Sequence, residues 1–279
     1  MTDTGERTQV RQEDIERGLR QVGLKAGDVA LVHSSLSAMG WVIGGADAAI
    51  DALLAVLDPE RGTLVLPTLC QADKERRFET WDIERSPSDV GRITEVGRLR
   101  PDAIRSDHPT HSVAAIGARA AEITRNHATA HDRPSPWGPA AFGFGSPWEK
   151  LYQCNARYLF LGTTTSCNTL GHFAQAEFVR RALEDVKTGR DELLAEVRGW
   201  NRPGVWPSFG FAIVEEWLAE RNAIHYAQIG EAALRATRAR VNVHTIIGKL
   251  TDPPQGLLPD DFMHWYRRVR PAAQGGDRP

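Results

Sequence analysis

Two apolar runs, Asp28–Ser34 (DVALVHS) and Gly62–Pro67 (GTLVLP), flank the stretch Asp47–Leu57, in which Ala49, Ile50, Leu53, Leu54 and Leu57 recur at helical spacing. Neither run alternates apolar with polar residues. Each therefore reads as a strand buried on both faces, as happens when helices cover both sides of a parallel sheet. Strand, helix and strand within about 40 residues make a βαβ unit, whose crossover is right-handed almost without exception. This feature commits the chain to an α/β arrangement.

Other segments extend the pattern. Gln12–Val22 reads as a helix with Ile15, Leu19 and Val22 on one face. Gly91–Arg100, Thr169–Asp185, Phe211–Arg221 and Gly230–Arg240 read as further helices, and Ser112–Ile116 and Arg157–Gly162 as further strands. The polar and aromatic stretch Gln71–Asp89 reads as a long loop over a site, and Trp200–Ser208 as irregular. With no linker and no repeat, the 279 residues are expected to form one domain, loose at about 1–8 and 271–279.

Composition removes several classes of function. The 34 Lys and Arg residues against 36 Asp and Glu, a formal net charge of −2, leave no electrostatic footprint for nucleic acid. The three cysteines, Cys70, Cys154 and Cys167, are odd in number and lack CxxC spacing, so they read as reduced thiols rather than disulfides or a zinc site. The polar N-terminus is no secretory signal, and no run approaches the roughly 18 apolar residues that span a bilayer. The expectation is a cytoplasmic protein with no membrane partner.

Three stretches could carry chemistry. The loop after the first strand holds Ser34, Ser35, Ser37, Gly40, Gly44 and Gly45. Glycines let a backbone approach a ligand, and helix N-terminal amides attract anions, although an ordinary βα turn has the same spacing. Arg105–Ser112 (RSDHPTHS) places Asp107, His108 and His111 close together. A metal needs a further ligand motif that the chain lacks, and a local Asp–His hydrogen bond beside Pro109 explains the block equally well. His127 and His131, in a polar segment, read as a solvated surface. Gly162–His172 (GTTTSCNTLGH) ends a strand and opens a helix, with Asn168 or Thr169 as N-cap. His172 then lies in the first turn, where the macrodipole disfavours imidazolium and leaves a neutral base. A packed histidine in a capped helix is the alternative. Cys167 near the same N-terminus could instead be a nucleophile with a lowered pKa, giving a cysteine acyltransferase or amidase.

Six blocks in order resemble the aminoglycoside 3-N-acetyltransferase family of antibiotic N-acetyltransferases. They are VHSSLSAMGWVIGGADAAIDALLAVL from Val32, GTLVLPT from Gly62, SPSDVGRITE from Ser86, RSDHPTHSVAAIG from Arg105, SPWEKLY from Ser146 and LFLGTTTSCNTLGH from Leu159. The resemblance implies a three-layer α/β/α sandwich distinct from the GNAT acetyltransferases. It also implies acetyl-CoA as co-substrate with no metal, and a small-molecule amine, an aminoglycoside 3-amino group, as acceptor. By the same resemblance Ser34, Ser35, Leu36, Ser37, Val42, Gly44 and Gly45 line the CoA site, with Arg105, Ser106, His108, Pro109 and Ser112 at its border. His172 falls on the family's general base, and the chain is expected as a monomer or homodimer.

The chain departs from the family pattern at telling places. Thr165 and Ser166 replace a His and an Asp, and Gln175 replaces a Glu. The family acid that supports the histidine lies some thirty residues further on, where this chain reads VRGWNRPGVW without a carboxylate. Glu177, Glu184 and Glu196 are the candidate substitutes. A non-catalytic CoA-binding relative is the corresponding alternative. A polycationic acceptor calls for acids; the expected ones are Asp73, Glu79, Asp82 and Glu177, with Glu75 and Glu84 nearby and Asn168 completing the set.

Overall fold

A computed structural model describes residues 7–70, 77–131, 133–138, 140–184, 186–197 and 205–270. In chain order the elements begin with strand β1 (Gln9–Val10), helix α1 (Gln12–Gln21), β2 (Val29–Ser34), β3 (Trp41–Val42), α2 (Gly45–Leu57) and β4 (Thr63–Pro67). Helices α3 (Arg77–Thr80) and α4 (Arg92–Arg98), β5 (Ile104–Arg105), β6 (Val113–Gly117), α5 (Ala120–Thr124), α6 (Pro147–Gln153) and β7 (Arg157–Leu161) follow. The chain continues through α7 (Thr169–Ala182), α8 (Arg190–Val197), α9 (Val214–Ala219), β8 (His225–Ile229), β9 (Ala232–Arg238), α10 (Ala239–Thr251) and α11 (Asp260–Val269).

The expected βαβ unit forms: β2 pairs parallel with β4, Ala30 opposite Leu64 and Leu31 opposite Val65. On its other side β2 pairs parallel with β7, Leu31 opposite Tyr158 and His33 opposite Phe160. Among the described residues the sheet has seven strands in the order β5-β6-β4-β2-β7-β9-β8, with β6 and β9 antiparallel to their inner neighbours.

Strand residues alternate between the two faces, and here both faces are dry. Leu31, Val65, Tyr158 and Phe160 join a core with Trp148 of α6, Phe173 of α7 and Val243 of α10. Ala30, Val32, Leu64 and Leu159 join a second core with Ile15 and Leu19 of α1 and Ile50 and Leu53 of α2. Two cores on opposite faces of one sheet make the three-layer α/β/α sandwich. No described helix is long and apolar enough to cross a membrane.

One expected helix is a strand. Within Gly230–Arg240, residues 232–238 form β9, which pairs with β7 and returns from β8 through a turn at Gly230 (φ 54°). Alanine and arginine favour helix locally, but the open edge of β7 offers a ladder of backbone partners, and Leu234 and Ala236 bury against the second core. The helix begins only at Ala239. The segments 71–76 and 271–279, for which a loop and a loose end are expected, lie outside the described residues.

Candidate active site

Neighbouring parallel strands β2 and β7 send their chains to opposite faces. The chain leaving β2 enters α2 on one core, and the chain leaving β7 enters α7 on the other. The carboxyl ends of such strands open a crevice between the diverging loops, the usual ligand position in an open α/β sheet. Two cavities lie there. Ser34, at the end of β2, and Val90 line both, so the cavities meet at these residues.

The inner cavity encloses about 320 Å³ between His33, Pro67, Thr110, His111, Trp137, Thr163, Cys167, Asn168 and His172. Gly162 turns the chain out of β7 at φ 69°; a Cβ there would stand 2.9 Å from the Ser35 carbonyl. Asn168 caps α7, its Oδ1 accepting from the Gly171 amide at 2.9 Å while its Nδ2 donates to Asn242 at 2.8 Å. That cap sets His172 in the first turn with its ring toward the cavity. The ring lies among Trp137 (centroids 4.1 Å apart), Phe211 (4.9 Å), His111 (6.1 Å) and Phe142 (6.1 Å). Burial in this aromatic wall pushes its pKa down to about 4, opposed by a 3.0 Å hydrogen bond to Gln175. The imidazole is therefore neutral at pH 7, with desolvation by burial as the leading cause.

The outer cavity, about 720 Å³, gathers Ser34, Ser35, Leu36, Ser37, Val42, Gly44 and Gly45 together with Gly91, Arg92, Trp41 and Arg7. No side chain caps α2: its N-cap is Gly44, at φ 83°. Nothing lies within 4 Å of where a Gly45 Cβ would be. First-turn amides and an arginine thus face an open space, the arrangement that suits a phosphate. Ser34 Oγ, at the junction, is buried without a hydrogen-bond partner among the described residues.

None of Arg105, Ser106, His108, Pro109 and Ser112 lines either cavity. Their side chains are occupied by the protein itself. Arg105 donates to the carbonyls of Thr68 and Ser86 and stacks over Trp81; burial, with Arg98 nearby, lowers its pKa to about 10. Ser112 donates to the Thr68 carbonyl at 2.7 Å, and Ser106 meets His127 Nδ1 at 2.9 Å. His108 Nδ1 accepts the amides of Thr110 and His111, which holds those two residues in the inner wall. The block therefore shapes the wall rather than presenting these side chains to it. His127, expected at a solvated surface, is buried and stacks on His108 at 4.7 Å.

Of the residues expected to meet an acceptor, Asn168 lines the inner cavity, and Asp73 lies outside the described residues. Glu79 and Asp82 are exposed, and Asp82 accepts the amides of Glu84 and Arg85, which lower its pKa. Glu177 belongs elsewhere: buried, it binds Arg133, Arg180 and Arg181 at 2.8–3.1 Å. Burial would raise its pKa, but those guanidinium groups hold it at about 2. Glu184 and Glu196 pair with Arg180 and Arg268. Among the described residues no carboxylate lines the inner cavity.

Cys167 is a cavity residue, but its environment runs against the expected thiolate. Burial raises its pKa, and Sγ donates to the Thr164 carbonyl at 3.1 Å. The sequence reading misses His33, Trp137, Arg92 and Phe211, which reach the cavities from four separate segments. His33, on β2, is held neutral by burial, with a pKa of about 3. Only the partner of His172 carried a signal, because Gln175 stands three residues along the same helix face.

The profile of the aminoglycoside 3-N-acetyltransferase family matches residues 31–251. The SPbeta prophage-derived aminoglycoside N(3')-acetyltransferase-like protein YokD of Bacillus subtilis (strain 168) is 34% identical over 186 residues, 59% of this chain and 64% of its own length. Aminoglycoside N(3)-acetyltransferase IX of Micromonospora chalcea is 32% identical over 217 residues, 72% of each chain. The chain thus spans just under two thirds of the first relative and somewhat more of the second. The apoenzyme of aminoglycoside acetyltransferase AAC(3)-IVa shares the fold at a TM-score of 0.71 and 24% identity, over 95% of this chain and all of its own. AAC-IIIb, in a binary complex with CoASH, gives 0.69 and 22%, over 90% and 100%. A variant of AAC(3)-IVa in complex with a gentamicin gives 0.69 and 25%, over 90% and 92%. A profile that runs through β2, β4 and β7 and through the loops walling both cavities settles the affiliation: the chain belongs to the aminoglycoside 3-N-acetyltransferase family.

Proposed function

We propose that the chain transfers an acetyl group from acetyl-CoA to an amine of an aminoglycoside, directly, with His172 as general base. The observation that carries this reading is the meeting of two cavities at Ser34 and Val90, one holding a neutral imidazole and the other an uncapped helix N-terminus. The CoASH of one relative and the gentamicin of another support the donor and acceptor classes.

The amides at Gly44 and Gly45 and the Arg92 guanidinium suit the pyrophosphate, and Ser35, Leu36, Ser37 and Val42 continue the wall toward the junction. Acetyl-CoA supplies the acetyl thioester. As the amine nitrogen bonds the thioester carbonyl carbon, His172 takes the proton that nitrogen sheds, and it returns the proton to the departing sulfur. In this reading the Ser34 hydroxyl, without a hydrogen-bond partner among the described residues, donates to the carbonyl oxygen as it gains charge, and such a donor stabilises an oxyanion by a few kcal/mol. Both reactants are held side by side, so positioning supplies much of the rate. On the acceptor side, Asn168 belongs to the cavity wall, with Glu79 on α3 and Asp82 just beyond it, both exposed, to attract a polycation.

Release of CoA thiol with a panel of aminoglycosides tests the activity. His172→Ala should lower kcat by about two to four decades. A near-normal rate in that variant removes the base role. Acetyl-CoA binding by calorimetry without turnover on any amine would identify a CoA-binding relative instead.

A further inference from the structure

We propose that Gln175, an uncharged amide itself locked by Trp206 and the Pro207 carbonyl, is the positioning residue that fixes the tautomer and ring angle of His172. The inference rests on the base role of His172 given above and says which nitrogen is the base.

The reasoning uses groups whose hydrogen-bonding sense admits no choice. An indole N–H only donates, and Trp206 Nε1 stands 3.2 Å from Gln175 Oε1. A peptide carbonyl only accepts, and Pro207 O stands 2.6 Å from Gln175 Nε2. These one-way partners fix which end of the amide is oxygen, so the assignment follows from chemistry rather than from the shape of the side chain. The oxygen then faces His172 Nδ1 at 3.0 Å. It can only accept there, so Nδ1 carries the proton and Nε2 keeps the lone pair. Gln175 is 2% exposed and Trp206 5%, so water does not compete for these bonds.

A carboxylate in this place would add a charge and favour imidazolium. The amide orients the ring without that charge. Among the described residues no other anion compensates: the titratable groups sharing the inner cavity with His172 are His33, His111 and Cys167, with Trp137, Phe142 and Phe211 completing its surroundings. Trp206 and Pro207 contribute an indole N–H and a carbonyl that hold the amide.

The test reads the tautomer directly. In the free protein labelled with ¹⁵N-histidine, the His172 shifts should show Nδ1–H and bare Nε2 near pH 7. Gln175→Leu should give mixed tautomers and lower kcat about 10²-fold with little change in the KM for acetyl-CoA. Gln175→Glu keeps the shape and presents an oxygen to Nδ1 in either protonation state. It should retain the Nδ1–H form and restore kcat to within about tenfold of the parent. Trp206→Phe, which removes the N–H along with part of the indole's volume, should loosen the tautomer preference while circular dichroism shows the fold retained. An Nε2–H tautomer in the parent overturns the proposal, as does a Gln175→Leu protein with unchanged tautomer and kcat. If the shifts behave as stated and no amine is acetylated, the positioning role stands and the acetyl-transfer reading falls.

Discussion

His172 illustrates how a side chain's neighbours choose its chemistry. An ordinary histidine titrates near 6.5, but this one is held at about 4, and His33 and His108 at about 3, all by burial. Each resists protonation in the folded chain and accepts it freely in the unfolded one. The unfolded state therefore binds more protons between about pH 6.5 and 4, and stability rises with pH across that window. Chemical denaturation at pH 7 and pH 5 should show a lower midpoint at pH 5; equal midpoints would mean the three rings are hydrated. Cys167 shows the opposite choice: a thiol raised by burial and bonded to a carbonyl is a wall group. Cys167→Ala should keep full activity, and loss of turnover would revive a cysteine nucleophile. These properties are hidden in the sequence, because Cys167 and His172 are five positions apart in either case and only their surroundings differ.

Helix α7 does two jobs along one length. Its N-cap Asn168 and its first-turn His172 stand at the cavity, and its third turn presents Glu177 to Arg133, Arg180 and Arg181. Arg133 is nearly inaccessible and also binds Glu149, so the network crosses from the loop before α6 to α7. Glu177→Leu leaves that buried cation half-paired and should cost about 3–5 kcal/mol, measured by denaturant unfolding. A cost near zero would mean that Glu149 alone suffices. At the start of α2, Gly44 has φ 83° and a Cβ there would come within 3.0 Å of Ala48. Gly44→Ala should weaken acetyl-CoA binding in calorimetry more than it lowers stability. The elements best read from the sequence are β2, α2 and β4, whose burial on both faces leaves an unbroken apolar signal. The sequence reading gives no element for 260–269, although Phe262, Trp265, Tyr266 and Val269 follow helical spacing. It takes 232–238 for a helix because local preference cannot register the open edge of β7.

At the level of the entire sandwich, the site is a meeting place. Its walls come from residues near 34, 67, 90, 110, 137, 167 and 211, brought together where the chains leaving β2 and β7 part to opposite faces. A ligand that binds only this assembled state stabilises it by mass action. Saturating acetyl-CoA, at about a hundred times its Kd, should raise stability by about 2.7 kcal/mol and shift Tm upward. An unchanged Tm would count against the donor.

Apolar periodicity and glycine placement were enough to specify the βαβ core, the turn after β2 and a histidine at the mouth of α7, because apolar patterning and backbone freedom are local properties of a chain. Which groups surround that histidine was decided by packing. Trp206 and Pro207 reach Gln175 across about thirty residues, and Arg105, Ser106, His108 and Ser112 turn inward to carbonyls, amides and a buried imidazole. Hydrogen-bond sense and desolvation depend on what lies beside a group in space, and that neighbourhood exists only once the layers close.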